Sequence, residues 1–361
     1  MRVLLTGAAG FVGTATAAEL SRRGHEVVGV DAFIPQAHGR STARPAAVHL
    51  VDVCDAEGLS AVLAGVDVVC HLAAMVGAGL TAADLPSYAT HNDLGTAVLL
   101  AAMSERAVDR FVLASSMVVY GEGRYTCPTH GEQMPPPRAR VDLDRGVFGA
   151  RCVQCGGSLD WASVDEDARL DPRSGYAASK VAQEHYAAAW ARQAPGAVIA
   201  LRYHNVYGPG MPADTPYSGV AAMFRSAVER GEPPRVFEDG HQMRDFVHVD
   251  DVARANSVAV ERVVAAPPET FAAYNVCSGR PVSIAEVARL IERGAGADVG
   301  GSGVEPVVTG EYRLGDVRHI VASPARATDH LGFTAEVPPE VGLPEFANAP
   351  LRGSAAGLQG S

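Results

Sequence analysis

The chain has 361 residues, enough for about two domains at roughly 150 residues each, and it can bury a large core without disulfide staples. Its 30 basic and 41 acidic side chains leave a net charge of −11, which argues against a general nucleic-acid or anionic-membrane surface but not against one local basic pocket. Hydrophobic residues make up 47% and charged residues 20%, a globular balance, and six cysteines are too few for a disulfide scaffold.

The first residues, MRVLLTGAAGFVG, lack a charged lead, a long apolar stretch and a cleavage site. No run reaches about 18 apolar residues, so no membrane span is expected and the expected compartment is a reducing cytosol. Val3–Leu5 reads as a first strand, followed by a glycine-rich turn and a helix over 11–23. Val27–Val30 reads as a second strand ending at Asp31, and His49–Val53 as a third. A helix over 55–64, a fourth strand over Val66–Leu72, a helix over 92–106 and a fifth strand over Arg110–Ser116 follow. Short unalternated apolar strands separated by helices predict an α/β fold with a doubly wound parallel (Rossmann) sheet covered on both faces.

The rhythm breaks over 121–171, which carries cysteines, histidine, a Pro-Pro-Pro run and many charges. It resumes with an Ala-rich helix from Tyr176 and a strand at Val198–Leu201. The expected organisation is a Rossmann domain over 1–205 interrupted by the 121–171 insertion, and a smaller, mainly substrate-binding domain over 206–350. A Gly/Ser/Ala-rich tail over 351–361 is expected to be disordered.

Gly7, Gly10 and Gly13 form a G-x-x-G-x-x-G loop between the first strand and its helix. Such a loop brings backbone N–H groups to a pyrophosphate at a helix N-terminus. Asp31 stands 18 residues past Gly13, where a carboxylate can hold both ribose hydroxyls and repel a 2′-phosphate, which favours NAD over NADP. Asp52 and Val53 end the third strand; Asp52 either contacts adenine or caps a turn.

Tyr176 and Lys180 stand at i and i+4, on one face of a helix. An ammonium beside a phenol lowers its pKa from about 10 and makes it a usable general base. Ser115 and Ser116 end the fifth strand, where a hydroxyl can relay a proton or merely form a turn.

The TGAAGFVG loop, His71-Leu72-Ala73-Ala74, Ser116-Met117-Val118-Val119-Tyr120-Gly121, Tyr176-x-x-x-Lys180, Arg202–Pro209 and Arg244–Asp251 occur in that order. With these motifs the chain resembles extended short-chain dehydrogenases/reductases of the nucleotide-sugar epimerase/dehydratase type, over about residues 1–335 apart from the insertion. The resemblance implies bound NAD, with cofactor contacts also from Phe11, Val12, Leu72, Ala73, Ala74, Ser115, Tyr176 and Lys180. It implies an Asn92 that supports the active-site helix near the cofactor, and a nucleotide-diphosphate sugar held by Ser116, Met117, Tyr176, Asn205, Arg244 and Arg318. Either arginine could instead be a solvated surface charge. The resemblance also implies a homodimer through the helices at 92–106 and 176–193.

Family dehydratases resemble one another in Thr-Asp-Glu before Val-Tyr-Gly. Here Ser116-Met117-Val118 stands there, and neither Met nor Val acts as an acid or base. The expected reaction is therefore 4-epimerisation through a 4-keto sugar. Open alternatives are a 4-ketoreductase or dehydrogenase, a decarboxylase with an acid not placed, and a non-catalytic dinucleotide sensor; the last fits poorly with both Tyr176 and Lys180 present.

In the insertion, Cys127-x-x-His130 is followed by Cys152-x-x-Cys155, each pair trailed by glycine. Four such ligands suit a closed, structural Zn²⁺ site in a zinc-ribbon-like fold. Unrelated thiols, or a Cys152–Cys155 disulfide, are the other readings. The insertion also gives a narrower resemblance, to the subfamily like dTDP-L-rhamnose 4-epimerases. Cys54, Cys70 and Cys277 read as small core residues.

Overall fold

The computed structural model of the protein describes residues 1–34, 38, 45–77, 81–213, 219–296 and 304–352. In chain order the strands are β1 (Arg2–Thr6), β2 (Glu26–Asp31), β3 (Val48–Leu50), β4 (Val68–His71), β5 (Arg110–Ser116), β6 (Arg124–Cys127), β7 (Gly131–Gln133), β8 (Asp160–Ala162), β9 (Ala197–Tyr203), β10 (Asn205–Tyr207), β11 (Arg235–Val236), β12 (Met243–His248), β13 (Thr270–Val276), β14 (Pro281–Ser283) and β15 (Val307–Val308). Seven of them form one sheet in the order β13-β9-β5-β4-β1-β2-β3, with every neighbouring pair parallel.

The unalternated strands are buried on both faces because helices cover both. In β1, Val3 and Leu5 enter one core layer and Leu4 the other. The first layer packs against the Phe11–Arg22 and Val249–Val263 helices through residues such as Leu20 and Val260. The second packs against the Ala56–Val62, Gly95–Glu105 and Gly175–Gln193 helices through Leu59, Leu99 and Trp190. The strand order reverses beside β1, and a crevice opens at the C-terminal ends of the strands there, where doubly wound sheets bind ligands.

Three differences from the sequence expectation have physical causes. Strand β3 stops at Leu50, and Val51–Val53 run on past the sheet into a turn in which Asp52 Oδ1 accepts from the Cys54 N–H at 2.8 Å. Helical chain starts at Leu85, not 92, and passes through a π-type turn over Ala89–Leu94. The widened turn places Asn92 fully inside the protein. Beyond residue 206, the Val249–Val263 helix and β13 rejoin the main sheet, because their apolar faces complete its first core layer.

The remaining C-terminal elements form a lobe around Tyr207, Phe224, Phe246, Leu343 and Phe346, with the small sheet β10-β12-β14. Leu351 is buried in this lobe, and Arg352 donates to Ala9 O at 2.7 Å, so the expected disordered tail does not begin at 351. Residues 353–361 lie outside the described residues. The insertion folds as an antiparallel sheet, β7-β6-β8. It docks on the lobe through Tyr125 and Trp161, whose rings lie 5.9 and 6.3 Å from that of His319. Among the described residues, no helix is long and apolar enough to cross a membrane.

Candidate active site

Strand β1 runs directly into Gly7, whose φ of +68° suits glycine, and a Cβ there would stand 2.8 Å from the Ala73 backbone nitrogen. A Cβ on Gly13 would stand 2.0 Å from Gly7 O, so the loop and the Phe11–Arg22 helix close on each other only without side chains. No side chain caps the first turn of that helix, which leaves its N–H groups for an anion. The Asp31 carboxylate sits at the end of β2 and accepts from the Ala9 N–H (3.1 Å), the Phe33 N–H (2.9 Å) and His38 Nε2 (3.0 Å). Burial works against its charge, but the His38 and backbone hydrogen bonds prevail and hold its pKa below the ordinary value. These features fit a dinucleotide with unphosphorylated ribose hydroxyls.

Every residue expected at the cofactor lines this one cavity, except Asn92 and Lys180. Asn92 acts from behind: it clamps Met75 through both amide atoms (2.7 and 2.9 Å) and donates to Ser179 Oγ at 2.8 Å. Ser179 in turn donates to Tyr176 O, so the clamp ties the loop after β4 to the first turn of the Gly175–Gln193 helix. That helix is capped by Ser174 Oγ, which accepts from the Ala177 N–H.

Ser116 and Tyr176 both line the cavity, and the Ser116 hydroxyl favours the ionised form of the Tyr176 phenol. Lys180 Nζ lies 5.9 Å from the Tyr176 ring centroid and donates to Ala114 O at 2.9 Å. The ammonium does not draw the phenol down as the spacing predicts. Burial pushes Tyr176 above its ordinary value, opposed by the Ser116 hydroxyl. Burial also pushes Lys180 down to about 7, with Glu184 opposing it. Ser115 gives its hydroxyl to Glu184, which also forms a buried two-point pair with Arg202 (2.7 and 2.9 Å). This network fixes the end of β5 that presents Ser116.

Met117, Asn205, Arg244 and Arg318 do not line the cavity. The Arg318 guanidinium is engaged by Glu238 and Asp239 at 2.7 Å each. Arg244 differs. It donates to the carbonyls of Met243, Val317 and Arg318, and burial lowers its pKa. Arg138 of the insertion shares Glu238 with Arg318, and Glu122 accepts from the Arg318 N–H, so the insertion buttresses this arginine pair.

In the insertion, Cys127, His130, Cys152 and Cys155 present ligand atoms that all lie within 4.8 Å of one another. Cys127 Sγ stands 3.8 Å from Cys155 Sγ, and His130 Nδ1 stands 3.6 and 3.5 Å from Cys127 and Cys152 Sγ. A tetrahedron with metal–sulfur bonds of about 2.3 Å and metal–nitrogen bonds of about 2.0 Å has edges of about 3.8 and 3.5 Å. Gly131 and Gly156, after the two pairs, take φ of +69° and +71°, as the tight knuckles require. Backbone N–H groups of Thr129 and His130, with the His130 ring, lower the Cys127 thiol to about 6.

Sequence reasoning missed His38, Arg352 and His204. His38 and Arg352 reach Asp31 and the glycine loop from outside any local motif, and no spacing signals them. His204 sits inside the quoted Arg202–Pro209 motif without a role of its own.

A family model described as "NAD dependent epimerase/dehydratase family" matches residues 3–140 and 150–277. The chain is 32% identical over 355 residues to the dTDP-L-rhamnose 4-epimerase of Burkholderia thailandensis, covering 96% of this chain and 93% of that one. Its fold is similar to that of MoeE5 in complex with UDP-glucuronic acid and NAD (TM-score 0.72, 30% identity, 95% and 96% of the two chains covered). It is also similar to the UDP-glucose 4-epimerase of Thermotoga maritima with UDP-glucose (TM-score 0.75, 28% identity, 96% and 97% covered). The glycine cradle, the Asp31 carboxylate and the Ser116–Tyr176 pair thus stand on a scaffold that these proteins share along nearly its whole length, and the chain belongs to the NAD dependent epimerase/dehydratase family.

Proposed function

We propose that the chain is an NAD-dependent 4-epimerase of a nucleotide-diphosphate sugar, with deoxysugars the favoured class. The observation that carries this reading is one cavity lined both by a dinucleotide cradle and by Ser116 and Tyr176. Met117 and Val118 beside it offer no acid or base for dehydration. The named epimerase relatives support it.

NAD, when bound, supplies the acceptor and later the donor of a hydride at C4, and its positive ring charge favours a phenolate. Tyr176 takes the proton from the sugar O4 and returns it after the keto sugar has turned over, so hydride reaches the other face. Ser116, which lines the same cavity as Tyr176, relays that proton. Lys180, held near neutrality by burial, stabilises the phenolate when protonated. Asp31 holds the ribose hydroxyls, and Asn92 keeps the Tyr176 helix in place. Arg244, whose hydrogen bonds go to carbonyls alone among the described residues, is the better arginine for the diphosphate; Arg318 and Asn205 support that region.

We further assign a structural zinc to Cys127, His130, Cys152 and Cys155, since all four positions are filled by protein. A homodimer through the 92–106 and 176–193 helices is supported by exposed Leu94 and Tyr186 on them. A reducing cytosol suits six cysteines outside any disulfide.

The test is to incubate purified protein with a panel of nucleotide sugars and no added cofactor, following epimer formation by NMR. Turnover without cofactor is expected. Turnover that requires NADPH would replace this reading with a ketoreductase.

A further inference from the structure

His204 occupies the one-residue turn between β9 and β10, directly after Tyr203, which pairs with Ser116 across the sheet. It is 3% exposed, lines the same cavity as Ser116 and Tyr176, and has no hydrogen-bond partner on Nδ1 or Nε2 among the described residues. Its backbone is fixed, the N–H donating to Val276 O at 3.0 Å. Burial, with the Arg244 charge adding to it, pushes the ring down to about 3, so it is a neutral imidazole with one donor and one acceptor.

His71 shows what a purely structural histidine looks like in this protein. It is equally buried and pushed down to about 3, yet its Nδ1 meets Thr6 Oγ1 at 2.7 Å and its Nε2 meets Thr96 Oγ1 at 3.1 Å. A buried polar group left without partners costs stability, so an enclosed imidazole with both nitrogens open points to a partner outside the chain. The neighbouring Asn205 Oδ1 is open in the same way.

The position selects that partner. The ribose end of the cavity is marked by Asp31 and His38, whereas His204 shares its end with Ser116 and Tyr176. A neutral imidazole that both donates and accepts matches a hydroxyl, which does the same. A phosphate only accepts, and would favour the charged ring. We propose that His204 is a specificity-determining residue that hydrogen-bonds a hydroxyl of the substrate's sugar ring, beside the carbon on which Tyr176 acts. This inference rests on the nucleotide-sugar reading above and deepens it.

The experiment uses the NAD-loaded protein and its His204→Phe and His204→Gln variants, with UDP-glucose, dTDP-glucose, UDP and dTDP as calorimetric ligands. His204→Phe keeps a planar ring and removes both nitrogens. It should melt at or above the wild-type temperature, retain NAD, and weaken the sugar-bearing ligand by roughly ten- to a hundredfold. The matching sugarless diphosphate should change less than about twofold. His204→Gln, which still donates and accepts, should recover part of the loss, and in turnover KM should rise more than kcat falls. The inference is overturned if His204→Phe binds the sugar ligand like wild type, loses UDP or dTDP equally, or loses NAD. Wild-type protein that binds none of the four ligands overturns the nucleotide-sugar reading itself, and this inference with it.

Discussion

The cofactor cavity and the small antiparallel sheet of the insertion each bring a few ligand-type atoms together, but they are made from opposite materials. At the cavity the presenting atoms are backbone N–H groups, and Gly7 and Gly13 are needed because a Cβ would collide with backbone at 2.8 and 2.0 Å. Two apolar layers on either face of a seven-stranded sheet fix those positions. In the insertion the presenting atoms are three sulfurs and an imidazole nitrogen: Cys127 ends β6, His130 stands just before β7, and Cys152 and Cys155 lie in the segment between β7 and β8, whose strands are only three or four residues long. Tyr125 is fully enclosed there, but Trp161 is partly exposed and Val153 stands 68% exposed. The cavity keeps its shape from the core beneath it. The small sheet has little core, so on the zinc assignment proposed above its fold would lean on the metal.

That contrast breaks first at Cys152. Structural zinc in finger peptides contributes about 10–16 kcal/mol of binding free energy that is also folding free energy. Cys152→Ser should reduce zinc from near one per chain to well under that and open residues 124–162 to proteolysis. NAD content should stay unchanged, because none of the four ligands touches the Rossmann core. Elemental analysis and limited proteolysis read this; full metal content in the variant, or none in the wild type, would remove the zinc assignment. Tyr176→Phe is the opposite probe. It should lower kcat by about 10²–10⁴-fold, the usual worth of a general base, while zinc content, NAD content and melting temperature hold. A variant that keeps most of its kcat would mean that another group takes the proton.

Gly13→Ala has a smaller expected effect and tests the cradle alone. With Gly7 O in the way, the loop must shift, at a cost near the upper end of the ~1–3 kcal/mol seen for overpacking. NAD affinity should fall by roughly ten- to a hundredfold on that scale, with zinc retained. An unchanged NAD affinity would show that the loop closes differently.

These probes also mark what the sequence made legible. The glycine loop, Asp31, the Tyr176–Lys180 pair and the Cys/His knuckles are local patterns, each readable within a few residues. What stayed hidden is long-range. The two carboxylates on Arg318 come from residues 79 and 80 positions away, so nothing beside Arg318 marks it as engaged rather than open. Strand β13 joins β9 from 73 positions along the chain, and its apolar run gives no hint of which sheet it completes. The depth of burial was equally hidden. The i, i+4 spacing of Tyr176 and Lys180 predicts a phenol drawn down by an ammonium, but enclosure moves both groups toward their neutral forms.

Burial gives the smallest prediction, and it separates the two regions by pH. His71 and His204 are both held down to about 3 in the folded protein, against about 6.5 in an unfolded chain. Between those values the unfolded chain binds protons that the folded one refuses, so stability rises with pH across this window and is lost as pH falls from 6.5 toward 3. Asp245 works the other way: burial raises it to about 6, so the folded state holds its proton between about 6 and 3.8 and offsets part of the loss. For one imidazole the loss from pH 7 to pH 5 is about 2 kcal/mol. His204→Phe removes that one contribution while leaving the His71 bonds to Thr6 and Thr96 intact. Denaturant melts at pH 7 and pH 5 should therefore show the variant losing about 2 kcal/mol less than wild type. Equal losses would mean that the His204 ring takes up a proton in the folded protein as readily as in the unfolded chain.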